Sequence, residues 1–425
     1  MSPLSKAIPL HLTDYALITA ARHSMNPFYR RCQSVGRPVD LESVFNKACL
    51  CFAHKSIHQR RMTSPEHRLL AVSADETAQA TPNRLVGIIP KGPAVQDGFR
   101  RVSFKELCRG VDAMAWWIDE HLGRAEGKDT VAYMGANDVR YYIFILACTK
   151  TGHEPFFPST RLSDEAYEHV FNATNCRKMI YTPETQRRTM EIQSFRPDTV
   201  YIQAPATGAL LDSAANHYPC TKTFEELETK TAFTVHSSGT TGMPKPVPVT
   251  HGYLSVLDNA PRLIPAGRMS SFHNDLQPGE VYLSVTPNFH LMGLLTLVEA
   301  VCHAKPFASP PDGPLSVQVM EDTIRATQPA LAMLPPSLLE DMSRSQSALE
   351  ALGTVRVVCS GGAPLAPETG MRVRAHTTLR TVLGSSEMGQ LDSCAAEDDE
   401  EWNSLSGCRG LGSRCSMSGM GCMNW

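Results

Sequence analysis

Short apolar segments alternate with longer amphipathic segments over most of this chain, and that alternation limits the folds open to it. Strand-like runs near five residues long, separated by helical segments of ten or more, are typical of βαβ units that build mostly parallel sheets. The sequence therefore predicts an α/β fold. It predicts strands at 131–134, 179–181, 281–286, 330–334, 355–359 and 379–383, and helices at 138–151, 163–173, 290–302, 315–328 and 367–376.

The pattern becomes clear near Phe99, where a first long helix is predicted. Ser103 and Glu106 have the spacing of a capping box, in which each side chain binds the other residue's backbone N–H. Apolar residues recur after them at helical spacing, and Gly123 is suited to end the helix.

The two ends of the chain lack this order. Residues 1–98 are polar and basic with little periodicity, and residues 404–425 are dominated by Ser, Gly, Cys and Met. We interpret residues 1–84 as an irregular N-terminal extension, residues 85–403 as one domain, and residues 404–425 as a non-homologous tail. This tail reads as the product of a missed intron or a shifted frame, with a flexible natural tail as the alternative.

The segment 231–252 gives the strongest indication of a ligand. An apolar run is followed by small hydroxylated and glycine residues and then by one lysine: Ser237, Ser238, Gly239, Thr240, Thr241, Gly242 and Lys245. Glycines let the backbone approach a bulky anion, and consecutive N–H groups with hydroxyls form an anion site. We predict a nucleotide triphosphate site rather than an ordinary polar loop. Met243 follows Gly242, so the loop lacks the Gly-Lys-[Ser/Thr] ending of a Walker loop.

Two other glycine-bearing loops also follow predicted strands. Gly361, Gly362 and Ala363 would let a flat base lie against the backbone, the alternative being a plain strand-to-helix turn. Glu387, in the turn 384–389, is a candidate Mg²⁺ ligand beside a triphosphate, or else an acid that begins a helix. Ligands of open α/β sheets bind beyond the carboxyl ends of strands, so we expect all three loops to meet at one sheet edge.

Composition excludes several other classes of protein. A net charge of −3 argues against a general nucleic-acid binder. The longest apolar runs are too short to cross a bilayer, so no membrane partner is expected. The thirteen cysteines show no paired framework and read as buried free thiols, which fits a reducing, cytoplasmic location. Four arginines against one acid in residues 1–39 leave an organelle transit peptide open.

The string Ser-Ser-Gly-Thr-Thr-Gly-Met-Pro-Lys-Pro, starting at Ser237, closely resembles the phosphate loop of the adenylate-forming superfamily. That superfamily includes acyl-CoA synthetases, firefly luciferase and the adenylation domains of nonribosomal peptide synthetases. The usual loop ends in Lys-Gly, whereas Lys245 is followed here by Pro246. This variant, with His236 just upstream, looks most like the fungal nonribosomal-peptide-synthetase-like enzymes, including carboxylate-reducing ones.

The resemblance implies roles for particular residues. The nucleotide would lie among the phosphate loop, the adenine segment Gly361–Ala363 and the turn with Ser385 and Ser386, with Thr241 and Glu387 holding Mg²⁺. Lys245 and His290 are the implied catalytic residues. His290 lies in a segment like the family's Phe-His-x-x-Gly and would orient a carboxylate or donate to the α-phosphate, the alternative being a structural histidine. His251 is expected to cap the helix that follows the loop.

The resemblance also implies an activity: ATP-dependent activation of a small carboxylic acid as an acyl-adenylate, followed by transfer to a phosphopantetheine carrier or to CoA. It covers the large N-terminal domain of that fold, from about residue 85 to about 403. The family's C-terminal lid domain, with the lysine that bridges carboxylate and α-phosphate, is not found in this sequence. A non-catalytic ATP-binding remnant and a generic NTPase therefore stay as alternatives.

Overall fold

The computed structural model describes residues 67–125, 127–237, 242–263, 275–387, 389–391, 404–406 and 414–416. Its strands are β1 Leu85–Pro90, β2 Phe99–Ser103, β3 Thr130–Met134, β4 Glu154–Phe156, β5 Lys178–Tyr181, β6 Val200–Gln203, β7 Thr231–Ser237, β8 Lys245–Thr250, β9 Tyr282–Ser284, β10 Phe307–Ala308, β11 Leu331–Leu334, β12 Val357–Gly361, β13 Thr378–Ser385, β14 Gly389–Leu391, β15 Ser404–Ser406 and β16 Arg414–Ser416. Its helices are α1 Leu70–Ala80, α2 Phe104–Leu122, α3 Arg140–Thr151, α4 Asp164–Ala173, α5 Gln186–Phe195, α6 Thr207–Leu211, α7 Phe224–Leu227, α8 His251–Leu263, α9 Leu291–Cys302, α10 Val317–Thr327, α11 Pro336–Met342, α12 Gln346–Leu352 and α13 Pro367–Arg374. The elements from α1 to β14 all lie within one unit, Pro65–Leu405.

The first sheet has six strands in the order β6-β5-β3-β4-β7-β8. Every neighbouring pair is parallel except β7 and β8, which form an antiparallel hairpin. Parallel neighbours need crossover connections, and helices α3, α4 and α5 supply them between β3 and β6.

The second sheet has eight strands in the order β14-β13-β12-β11-β9-β10-β1-β2. Its strands from β13 to β1 pair in parallel, and antiparallel strands, β14 and β2, lie at the two edges. The predicted α/β architecture with mostly parallel sheets is therefore confirmed.

Helix α2 begins and ends where local sequence signals predict. The Ser103 hydroxyl accepts a hydrogen bond from the Glu106 N–H at 3.3 Å, and the Glu106 carboxylate accepts one from the Ser103 N–H at 2.7 Å. Gly123 ends the helix with a φ of 75°, a value that glycine adopts without a steric penalty.

The largest apolar cluster surrounds helix α3, in which every residue is buried. This helix contacts α1, α2 and α9, and the cluster continues onto strand residues such as Val131 and Phe233. A helix covered on all sides can be apolar all round, which explains why α3 lacks a polar face.

The N-terminal boundary needs a correction. Helix α1 lies within the predicted irregular extension, and its Leu70, Ala71 and Ala74 are buried in the α3 cluster. The description of residues 1–84 as irregular is therefore wrong for residues 70–80. Only one narrow face of α1 is buried, so its sequence gives a weak helical period. Residues 1–66 lie outside the described part of the chain.

Strands β15 and β16 fall within the range 404–425, where the sequence shows no pattern. The other residues of that range are not among those described. No helix in the described ranges combines the length and the apolar composition that crossing a bilayer would require.

Candidate functional site

The predicted phosphate loop is the connection of the β7–β8 hairpin. Ser237, the last residue of β7, pairs with Lys245, the first residue of β8, and the Lys245 side chain is exposed. Gly242 has a φ of 94°, in the left-handed region that favours glycine. Four residues of the loop lie outside the described part of the chain: Ser238, Gly239, Thr240 and Thr241.

The predicted adenine segment follows β12, whose neighbour β13 runs parallel to it, with Gly361 opposite Val382. A Cβ on Gly361 would lie 2.7 Å from the Val382 carbonyl oxygen, so only glycine allows this close approach. Gly362 has a φ of 91°, and Ala363 follows it with an exposed side chain. Strand β12 ends at Gly361, two residues later than predicted, so Gly361 belongs to the strand and Gly362 begins the turn.

The turn after β13 lies at the same sheet edge. Ser385 ends β13 and pairs with Gly389 of β14, so Ser386 and Glu387 form the tip of a tight antiparallel connection. Because this turn leads into a strand, Glu387 does not begin a helix, and that alternative is excluded. The Glu387 side chain is exposed, and no hydrogen bond or ion pair joins it to another residue of the described ranges.

The expectation that all three loops meet at one sheet edge is wrong. The phosphate loop belongs to the six-stranded sheet, whereas the other two segments belong to the eight-stranded sheet. The alternation of strands and helices identifies strands but does not divide them between two sheets. Helix α8, which follows β8 directly, nevertheless contacts the second sheet, because a Cβ on Gly389 of β14 would overlap the hydroxyl of Tyr253 in that helix.

Asn288 connects the segment that carries His290 to the other sheet. Its N–H donates to Asn137 Oδ1 at 2.7 Å, and its side-chain amide donates to the Asp138 carbonyl at 3.2 Å. The Tyr142 hydroxyl donates to Asn288 Oδ1 at 3.2 Å. Residues 137 and 138 follow β3, so the turn bearing His290 is fixed to the loop at the end of that strand.

His290 immediately precedes helix α9, and its side chain is exposed. Partial desolvation by the surrounding protein lowers its pKa, and the charge of Arg161 lowers it further. His236 is buried, and its Nε2 accepts a hydrogen bond from the Ser159 N–H at 3.0 Å, which places the proton of the neutral ring on Nδ1. Burial lowers the pKa of His236 to about 4, so both rings are neutral at pH 7.

The prediction that His251 caps helix α8 is wrong. The Thr250 hydroxyl accepts a hydrogen bond from the Tyr253 N–H at 3.1 Å, so the residue before the helix is the cap. His251 is the first residue of the helix and is buried, and burial lowers its pKa to about 4.

Two residues near the site were not among the predicted site residues. Asn288 lies two residues before His290, but its partners are 146 to 151 residues away in the chain. Arg161 follows β4, a strand of three residues that is too short to show periodicity. The only local signal for either one is a polar residue in the connection after a strand.

Comparison with known proteins assigns the family. A model of the family described as "AMP-binding enzyme" matches residues 75–412. The chain belongs to the AMP-binding enzyme family. The matched range extends on both sides of the predicted domain at 85–403.

The chain is also similar to longer fungal proteins. The chain is 30% identical to a carboxylic acid reductase of Neurospora crassa over 327 residues, which are 75% of this chain and 31% of that protein. It is 27% identical to the isocyanide synthase-NRPS hybrid crmA of Aspergillus fumigatus over 335 residues, 76% of this chain and 22% of that protein. The chain therefore spans a third or less of these relatives.

Solved structures show the same fold. The inhibitor-bound N-terminal domain of FACL13 from Mycobacterium tuberculosis has a TM-score of 0.63 at 20% identity and covers 75% of each chain. The N-terminal subdomain of NpsA from Klebsiella oxytoca has a TM-score of 0.58 at 17% identity, again covering 75% of each chain. The described fold is thus the one seen in these two N-terminal domains.

Proposed function

We propose that this chain binds MgATP and activates a carboxylic acid as an acyl-adenylate, with release of pyrophosphate, as the adenylation unit of a nonribosomal-peptide-synthetase-like enzyme. One observation carries the proposal. The Gly361–Gly362 segment and the turn with Glu387 share one sheet edge, and the strand after that turn touches the helix behind the phosphate-loop hairpin. Membership of the AMP-binding enzyme family supports it.

In this proposal the nucleotide phosphates contact the hairpin loop and the turn after β13, and the adenine lies on the segment after β12. The phosphate-binding residues are Ser237, Ser238, Gly239, Thr240, Thr241, Gly242, Lys245, Ser385 and Ser386, and the adenine-binding residues are Gly361, Gly362 and Ala363. Backbone N–H groups at such turns and an exposed lysine are suited to a highly charged anion.

Glu387 has the properties of a Mg²⁺ ligand. Its exposed carboxylate has no partner within the described ranges, and Mg²⁺ binds one or two protein carboxylates while keeping water and phosphate oxygens. Thr241 and Glu387 would hold the ion, which would neutralise charge on the phosphate oxygens.

His290 is proposed to contact the carboxylate. A neutral imidazole at pH 7 can donate one hydrogen bond to a carboxylate or α-phosphate oxygen, and the exposed ring is open to a ligand. The carboxylate oxygen then attacks the α-phosphorus in line, and pyrophosphate leaves.

The acyl group is proposed to pass to the thiol of a phosphopantetheine carrier or of CoA. One structural neighbour, described as an artificially fused adenylation-PCP di-domain of NpsA and ThdA from Klebsiella oxytoca, pairs this fold with a carrier. The free thiols of Cys148 and Cys359 are buried, in keeping with the cytoplasmic location that we propose for the chain.

Exchange of radiolabelled pyrophosphate into ATP, measured with a panel of aryl, α-keto and aliphatic acids, tests the proposal. We expect exchange that depends on one class of acid and on Mg²⁺, and that is lost in Lys245→Ala. ATP binding by calorimetry without exchange for any acid would favour the non-catalytic ATP-binding alternative. ADP and phosphate as products would indicate a generic NTPase.

A further inference from the structure

An adenylation site must stabilise two anions at once, the carboxylate and the α-phosphate. His236 and His290 are neutral at pH 7, so they can donate hydrogen bonds but supply no positive charge. Lys245 lies at the start of β8, at the base of the phosphate loop. A second cation on the His290 side of the loop would complete the charge balance, because a buried or half-buried anion needs a compensating charge.

The loop after β4 is placed to provide that cation. Strands β4 and β7 are parallel neighbours, with Phe156 opposite Thr234, and the Phe157 N–H donates to the Thr234 carbonyl at 2.9 Å. Further along, the Ser159 N–H donates to His236 Nε2 at 3.0 Å. The chain after β4 therefore leaves the sheet beside the residue that precedes Ser237.

Arg161 stands two residues beyond Ser159, and its own N–H donates to the Ser159 hydroxyl at 3.2 Å, which fixes the turn. Its side chain is exposed and makes no ion pair or hydrogen bond with any residue in the described ranges. Its charge nevertheless acts on His290, whose pKa is lowered first by desolvation and then by Arg161. The guanidinium is thus an exposed cation with no partner among the described residues, on a loop that hydrogen-bonds to His236 at the end of β7.

We propose that Arg161 is an anion-binding residue of this site, contacting an anionic oxygen of the substrate carboxylate or of the α-phosphate beside His290. A guanidinium is suited to both groups, because its planar fork of N–H donors matches the two oxygens of either. The assignment rests on the proposed adenylation function, and it adds a residue from the loop after β4.

Calorimetry with the full chain tests this assignment, with adenosine, AMP and MgATP as probes. Arg161→Ala is compared with Arg161→Lys and with Arg101→Ala, which removes an exposed and equally unpartnered arginine from β2. If Arg161 contacts the α-phosphate, Arg161→Ala weakens AMP and MgATP binding about tenfold or more, and adenosine binding does not change. Arg161→Lys keeps part of the affinity, and Arg101→Ala binds like the unmodified chain.

If Arg161 contacts the carboxylate instead, AMP affinity is unchanged, and the KM for the acid in pyrophosphate exchange rises about tenfold with little change in the KM for ATP. Equal binding and equal KM values in Arg161→Ala and the unmodified chain would overturn the assignment while leaving the adenylation function intact. An unmodified chain that binds neither AMP nor MgATP would contradict the function, and the role of Arg161 would fall with it. Equal thermal unfolding of all variants excludes a folding defect as the cause.

Discussion

The charged side chains of this molecule form two contrasting groups. In the core, the Lys150 ammonium has no exposed side-chain surface and contacts the carboxylates of Asp75 and Asp112 at 2.8 and 2.7 Å. At the candidate site, Lys245 and Arg161 are exposed and have no partner among the described residues. The first group joins helices α1, α2 and α3, whereas the second is free to meet a ligand.

The difference shows what each arrangement can do. Burial alone would lower the pKa of Lys150, but the two carboxylates outweigh it and hold the pKa above its ordinary value. Such a charge stays ionised and fixes the helices that carry its partners. A cation already paired in this way would have to break its contacts before it could bind an anion, so ligand-binding cations are better left unpaired.

The largest effect is expected from Lys150→Met. The substitution removes the ammonium that contacts both Asp75 and Asp112 and leaves only the half-exposed His217 beside Asp112, and breaking a buried ion pair in this way costs about 3–5 kcal/mol. Urea unfolding followed by circular dichroism measures the loss.

The control is Lys150→Met combined with Asp75→Asn and Asp112→Asn, which removes the stranded negative charges. We expect this triple variant to recover much of the lost stability. A Lys150→Met chain as stable as the unmodified one would show that the cluster does not hold α1, α2 and α3 together.

A buried group with no counter-charge among the described residues should respond to pH. Burial alone holds the pKa of His251 at about 4, below its ordinary value of 6.5. Between these two values the unfolded chain binds a proton that the folded chain excludes, so stability is full above pH 6.5 and falls as the pH drops towards 4. The expected slope from this residue is about 1.4 kcal/mol per pH unit.

Urea unfolding of His251→Asn and of the unmodified chain at pH 7, 6 and 5 isolates this slope. The variant should lose less stability between pH 6 and 5, even if it is less stable at pH 7. Parallel curves for the two proteins would mean that His251 is protonated with equal ease in the folded and unfolded chains.

Contacts between residues close in sequence could be predicted, whereas contacts between distant residues could not. Ser103, Glu106 and Gly123 act within a few residues of each other, so the start and the end of α2 follow from local pattern. Lys150 and Asp75 lie 75 residues apart, and Asn288 and Asn137 lie 151 apart. Sequence periodicity does not reveal such pairs, because they depend on how distant helices and loops pack against each other in the folded chain.

The candidate site shows the same limit. Its glycine-bearing segments could be identified from residue type and from the strands before them, and Gly242 and Gly362 do adopt positive φ values. The position of Arg161 beside β7 could not be identified from the sequence. Strand β4 has only three residues, and its pairing with β7 is a property of the assembled sheet. Residue chemistry therefore predicts which segments bind, and topology decides which other residues join them.

Lys245→Ala tests the second group of charges, the exposed cations at the candidate site. Because the Lys245 side chain is exposed and has no partner among the described residues, its removal should change the free energy of unfolding by no more than about 0.5 kcal/mol. Its loss should nevertheless weaken MgATP binding about tenfold, since a charge-assisted contact to phosphate is lost.

Calorimetry at low and high salt checks this prediction, because an exposed cation is screened. The difference in affinity between the unmodified chain and Lys245→Ala should shrink as salt rises, and Lys245→Arg should bind nearly as well as the unmodified chain. A large loss of stability in Lys245→Ala would place this lysine with the structural charges instead.

The smallest effect is expected from Arg187→Ala, which tests whether pairing alone makes a charge structural. Arg187 contacts Glu191 one helical turn away at 3.4 Å, but the arginine side chain is 95% exposed. Water and salt screen such a pair, so its removal should leave the unfolding midpoint within experimental error at any ionic strength.

Lys150→Met, at comparable or shorter contact distances, should keep its large effect in high salt. If Arg187→Ala were as destabilising as Lys150→Met, burial would not be what separates the two groups of charges. The presence of an ionic partner would then be a sufficient guide to which charges hold the fold.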